Sequence, residues 1–339
     1  MKYIKKLSLT LLIILLMSTI AHAGRYAGDF MLIGPGVRAV GMGSAFTAVA
    51  DDGSATFWNG AGLAQLERAN LEFMHAFLYE NLAAYDFLSF SLPLPAKTTI
   101  GISYTQLVID DIPVYDEKWL VYNVDIRSSD VDLQLTGDPD GYFRSRDQVF
   151  KFVFSKNITQ VINLGWDLFE LPIEYYGGAV FKYIKRNLYD YVGTGTGFDI
   201  SFMVKTDFAL LTDVDWLGKI KFGTNIQDIA GTAVSWDTAS KHSDEVITGV
   251  RYGLAIDQPL DFINSNCIIS VDWGEIYDYK KHFGAEFTYK NLISIRSGLD
   301  DEQFTAGLGL KFKDYRLDYA FINNSELGAT NRIGLRINL

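Results

Sequence analysis

Four groups of residues have types and spacing that chemistry could use. Gly193-Thr194-Gly195-Thr196-Gly197 has the glycine density of a phosphate cradle, but no Lys-Ser/Thr pair and no helical period follow it. A row of glycines facing the inside of a bent sheet is the better reading. Asp130, Asp132, Asp138, Asp140 and Gly141 crowd together oxygens of the kind calcium takes. Their spacing lacks the closing Glu of an EF-hand and reads as a solvated acidic loop. His75, His242 and His282 are far apart in sequence, and no serine sits in a Gly-x-Ser-x-Gly turn. Neither an enzyme nor a metal or cofactor site is expected. Asp51-Asp52-Gly53 lies in a stretch of Gly, Ala, Ser and Thr and has no evident partner, so it reads first as a side-chain-stabilised turn and second as a ligand or gating group.

The elements that would position these residues begin with a leader. Lys2, Lys5 and Lys6 precede an apolar run from Leu7 to Ile20 and then Ala21-His22-Ala23, the pattern of a signal peptide over 1–23 cut before Gly24. The apolar run is shorter than the roughly 20 residues of a membrane-spanning helix. Loss of the three leader lysines takes the formal net charge from −11 to −14, which argues against a nucleic-acid partner. The single cysteine, Cys267, excludes an intrachain disulfide. Abundant Tyr and Phe without a second long apolar run, in an exported chain, point to the outer membrane of a Gram-negative-type bacterium.

Beyond about residue 69 side chains alternate with period two. Phe283, Ala285, Phe287 and Tyr289 alternate with His282, Gly284, Glu286 and Thr288, and Ile333, Leu335 and Ile337 alternate with Arg332, Gly334 and Arg336. The segments run about nine to twelve residues, the length a tilted strand needs to cross a bilayer; sandwich strands average roughly five or six. Strands are expected near 69–79, 84–93, 98–108, 147–156, 173–186, 193–206, 218–229, 245–257, 266–276, 281–290, 292–299, 303–312, 314–322 and 328–339. The fold class is therefore all-β: a 14-stranded antiparallel transmembrane β-barrel over 67–339. With residue 69 entering from the periplasm, the long connections 109–146 and 230–244 fall outside the cell. The connections 157–172 and 207–217 fall on the periplasmic side, with Trp166 and Trp216 as interface anchors.

Fourteen strands enclose more space than their own side chains fill. The segment 24–66 precedes the first strand, and its small residues suit close packing against a wall, so it is expected to be an N-terminal plug, or hatch. Gly41 and Gly43 allow tight turns, and Arg38 would meet acidic groups of the lumen. The run Gly36-x-Arg38-Ala39-x-Gly41-Met42-Gly43-x-Ala45-Phe46, continued by Asp51-Asp52 and by Trp58-Asn59-x-Ala61-Gly62-Leu63, resembles the N-terminal signature of the PorV/PorQ group of outer-membrane proteins. That group is itself similar to the FadL long-chain fatty-acid transporters. Leu317-Asp318-Tyr319-Ala320-Phe321 and Asn331-Arg332-Ile333 resemble its last two strands. The family pattern has Pro after Trp-Asn where this chain has Gly60, and an aromatic last residue where it has Leu339.

The resemblance implies a plugged barrel and two possible duties. One is protein secretion of the type IX kind, with translocon subunits and exported proteins as partners and the acidic loops as docking surface. The alternative is a FadL-like channel for small hydrophobic molecules, with a long-chain fatty acid or another apolar ligand in the lumen. Outer-membrane lipid is a partner in both.

Overall fold

A computed structural model describes residues 29–115, 139–163, 170–212, 214, 216–276, 278–324 and 328–339. The leader, Trp166, and Asp130, Asp132 and Asp138 of the acidic loop lie outside the described residues. Among those described, sixteen strands form one antiparallel sheet. In chain order they are β1 (Asn70–Leu78), β2 (Ala83–Leu94), β3 (Thr98–Val114), β4 (Gly141–Asn163), β5 (Glu170–Leu188), β6 (Tyr191–Asp207), β7 (Lys219–Gln227), β8 (Thr232–Trp236), β9 (Ser243–Val246), β10 (Gly249–Leu260), β11 (Ser265–Ile276), β12 (Asp278–Tyr289), β13 (Ile293–Asp300), β14 (Gln303–Phe312), β15 (Tyr315–Asn324) and β16 (Gly328–Asn338). β1 pairs with both β2 and β16, and β5 pairs with β6, so the ring closes. β8 and β9 form a hairpin laid on the end of β6, where Gly193–Gly195 pair with Val234–Trp236. Fourteen strands remain in the wall.

The period-two pattern becomes an inside-out distribution of polarity. Phe150, Phe152 and Phe154 of β4 point outward at 48%, 48% and 49% exposure, as do Leu308, Leu310, Leu317, Ile333 and Leu335. Charged residues such as Lys182, Asp199, Asp272, Glu286 and Arg296 are buried on the inner face. Each inward charge is surrounded by protein and each outward apolar side chain is not, the arrangement a hydrocarbon surround requires.

The strands exceed the sequence expectation away from the apolar band. β3 continues to Val114 through a bulge between Ile109 and Ile112, and β4 begins at Gly141. At the other end β4 runs on to Asn163 and pairs with β5 from Glu170, so much of the expected connection 157–172 is strand. The expected strand 245–257 is divided: Glu245 and Val246 belong to β9, and the wall strand starts at Gly249. Outside the lipid layer a strand has no reason to alternate apolar with polar residues, so the periodic signal stops before the backbone pairing does. Gly193, Gly195 and Gly197 lie within β6 and face the hairpin, where an added Cβ would strike Trp236, Val234 or Thr232.

Residues 34–66 run as short turns, comprising the helices Val37–Gly41 and Ala55–Trp58 and a 3-10 helix over Gly60–Gln65. They are almost entirely buried against the inward face of the wall. Phe46, Trp58, Met42 and Leu63 supply the bulk, packed with Val153, Tyr176, Val180, Met203 and Ile268 of the strands.

Candidate functional site: the inner segment and the cavity above it

Small residues let this segment touch the wall backbone. Gly43 takes φ 62°, a left-handed conformation that favours glycine. Gly284 and Gly298 of the wall face Met42 and Gly43, and a Cβ on either would strike the segment's backbone. The Ala45 side chain is fully buried beside them.

The first half of the segment is held by buried charges. Arg38 Nε donates to Glu286 Oε2 at 2.9 Å and its Nη2 to Oε1 at 2.8 Å, while Nη1 reaches Asp51. Glu286 also accepts from Arg296 Nε at 2.6 Å, and Arg296 Nη1 donates to Asp318 at 2.7 Å. Asp52 pairs with Arg336, whose Nε lies 3.5 Å from Glu72. Asp52 Oδ1 also accepts from the Ser54 backbone N–H at 3.1 Å and its hydroxyl at 2.6 Å, so the aspartate both forms a turn and meets the wall. The backbone N–H groups of Phe46 and Thr47 donate to Asp272 at 2.9 and 2.8 Å, and the Ser44 hydroxyl to Asp300 at 2.7 Å.

The second half is seated by neutral bonds. Asn59 accepts from the Ala61 N–H at 3.2 Å, capping the 3-10 helix, and donates to the Thr47 carbonyl at 2.8 Å and the Phe202 carbonyl at 3.2 Å. Ser201 and Ser155 of the wall bind Ala61 at 2.8 and 2.7 Å. Trp58 Nε1 donates to the Pro35 carbonyl at 2.7 Å, which folds the segment on itself.

The structure thus gathers Arg38, Asp51 and Asp52 into one ionic cluster. It places Gly41, Met42, Gly43 and Ala45 at a backbone-to-wall contact, and Trp58 and Asn59 at the join of the two halves. Trp216 is exposed on the connection between β6 and β7. The wall partners Glu286, Arg296, Asp318 and Arg336 were legible only as polar members of alternating strands. Their signal was a charge repeated at inward positions of a ring that closes.

Burial pushes the Asp51 carboxyl up, but the adjacent Arg38 guanidinium and then Lys221 outweigh it and hold it below the usual carboxylate range. A carboxyl with a lower value folded than unfolded stabilises the folded state above the unfolded value, about 3.9, and loses that contribution as pH falls through the folded value. Protease cleavage of the inner segment is therefore expected to rise in wild type below about pH 4. In Asp51→Asn this step is expected to shrink, a difference read from digestion at stepped pH.

Above the segment, on the side of the loops joining β11 to β12 and β13 to β14, lies a cavity of about 680 Å³. Leu32, Ile33, Val40 and Trp58 give it an apolar base, and the rest of its lining is mostly polar, with Arg251, Lys280, His282, Asp300, Glu302 and Arg332 around it. Arg251 lies 5.0 Å from the Trp58 ring, and His282 Nδ1 is 2.9 Å from Asp300.

A closed ring of fourteen antiparallel strands with an apolar outside and a charged, occupied inside defines the class: a transmembrane β-barrel. No protein-family profile and no curated protein matches the chain. Among solved structures it is similar to the toluene transporter TodX of Pseudomonas putida at 9% identity, over 89% of this chain and 96% of that one, with a TM-score of 0.47. It is also similar to a FadL homologue of Pseudomonas aeruginosa (9% identity, 89% and 98% covered, TM-score 0.43) and to Omp33 of Acinetobacter baumannii (6%, 80% and 98%, 0.43). The PorV/PorQ likeness rests on the motif residues alone.

Proposed function

We propose that the protein is an outer-membrane channel for small apolar or amphipathic molecules, with 24–66 acting as a plug and the cavity above it as the receiving site. The observation that carries this reading is the cavity of about 680 Å³, which falls in the size range of small-molecule sites. Its floor is built from the obstructing segment itself, so a solute seated on Leu32, Ile33 and Trp58 touches what must move for it to pass. Arg251, stacked on Trp58, offers a cation to an amphiphile's polar end.

The secretion reading takes second place. Its docking surface is the two loops 109–146 and 230–244, of which 230–244 carries the hairpin β8–β9 on the end of β6, and the observation that favours the channel over it is the cavity with the inner segment at its base.

The test is titration of the purified, folded barrel with a long-chain fatty acid and with toluene, followed by tryptophan fluorescence. Saturable binding is expected, with most of the signal lost in Trp58→Phe and affinity for the fatty acid lowered about tenfold in Arg251→Gln, a loss of the size expected for a charged hydrogen bond. Absence of saturable binding of either ligand by folded protein would overturn the reading.

A further inference from the structure

The end of the barrel that carries the chain's entry and exit bears lysines of an unusual kind. Lys97, Lys290 and Lys313 sit in the tight turns β2–β3, β12–β13 and β14–β15, with φ of 53°, 50° and 54°. That left-handed region suits Gly, Asn or Asp and costs a side chain such as lysine roughly 1–2 kcal/mol. Three turns therefore keep a cation where a cheaper residue would fold better.

None of the three is neutralised by a carboxylate among the described residues. Lys290 lies over the Tyr289 ring at 5.0 Å, Lys313 over the Phe312 ring at 5.5 Å, and Lys97 meets only the Thr159 hydroxyl at 2.8 Å. Asp314, next to Lys313, is taken by Arg68 at 2.6 Å. The inward lysines differ: Lys182 and Lys221 are each paired with aspartate at 2.7 and 2.9 Å. Tyr289 and Phe312 are outward and exposed, 42% and 70%, at the edge of the apolar band. Aromatic residues at that edge mark the headgroup level of a bilayer, so the Lys290 and Lys313 ammonium groups stand where phosphates stand, and Lys97 lies in a turn at the same end of the ring.

We propose that these turns form a basic arc that binds the phosphodiester headgroups of anionic phospholipid in the leaflet at the end where the chain enters and leaves the barrel. The arc runs over neighbouring hairpins of one half of the ring, from β12 through β16 and β1 to β3. Charge complementarity selects an anionic lipid over a zwitterionic one, and each lysine near an anionic surface is expected to favour it about fivefold.

The experiment places the full-length barrel in nanodiscs of phosphatidylcholine containing one-third phosphatidylglycerol and measures the phospholipids that stay bound after detergent extraction. Wild type is expected to retain phosphatidylglycerol over phosphatidylcholine at a ratio at least tenfold above that of the bulk lipid, with the enrichment falling in high salt. K97Q/K290Q/K313Q is expected to retain it at the bulk ratio, and K97R/K290R/K313R to behave as wild type. All three are compared only as folded barrels, judged by heat-modifiable gel mobility. Equal enrichment in wild type and the glutamine variant overturns the proposal.

Discussion

Arg38→Ala is expected to release the inner segment from a barrel that still folds. The substitution leaves Asp51 and Glu286 inside the lumen without the guanidinium that joins them. Removing one partner of a buried ion pair costs about 3–5 kcal/mol. Glu286 keeps Arg296 at 2.6 Å, so the lower end applies, on the order of a hundredfold in the population of the seated state. Two readouts should move together: protease cleavage within 34–66 and ionic current through the protein in planar bilayers. Arg38→Lys should recover only part of the seating, because an ammonium cannot reproduce the two-pronged contact with Glu286. Current and cleavage unchanged from wild type in Arg38→Ala would show that the charges do not hold the segment.

The second large effect is expected at Gly43. Its φ of 62° penalises any side chain by roughly 1–2 kcal/mol, and a Cβ there would strike the Phe283 carbonyl and the Leu299 backbone. Overpacking against wall backbone adds about 1–3 kcal/mol, because strands bonded on both edges cannot retreat. Gly41→Ala provides the scale. Its Cβ would lie 3.2 Å from the Gly307 Cα, tight but relievable by a small shift, and its φ is not left-handed. The expected order of protease sensitivity is wild type, then Gly41→Ala, then Gly43→Ala, with Gly43→Val most sensitive. Thermal melting of the barrel itself should change far less than this local release. An equal effect at the two glycines would mean that the wall does not approach Gly43 as described.

The wall was legible in the sequence because lipid imposes a rule residue by residue. Phe150, Phe152 and Phe154, or Leu308 and Leu310, must be apolar wherever they meet hydrocarbon, and that spacing marks the strand. The rule lapses outside the bilayer, which is why Ile109–Val114 and Ile158–Asn163 read as connections although both are paired strand. The hairpin β8–β9 escaped for the same reason, as its residues stand over Gly193–Gly195 and not over lipid.

The site was legible in part, for a different reason. The turn at Asp52 is local, and Asp-Asp-Gly-Ser announces it. The partners of Asp52 and Arg38 are not local: Arg336 is 284 residues away and Glu286 is 248. They meet only because the ring closes and its register places both inward facing. Arg38 could therefore be read as seeking a carboxylate of the lumen, but not which one. The cavity over Trp58 was not legible at all, since a volume between a folded segment and a wall belongs to no stretch of sequence.

The most direct test of the account is a crosslink between the inner segment and the wall. The Ser44 hydroxyl and the Asp300 carboxylate touch at 2.7 Å, so thiols at these two positions lie within the span of a short bis-maleimide crosslinker. In a Cys267→Ser background, Ser44→Cys combined with Asp300→Cys should be joined by that reagent in native membranes, and current through the crosslinked protein should stay at the wild-type level. A folded barrel in which the two cysteines are each labelled but never joined would contradict the account, because the segment would then lie elsewhere than in the lumen.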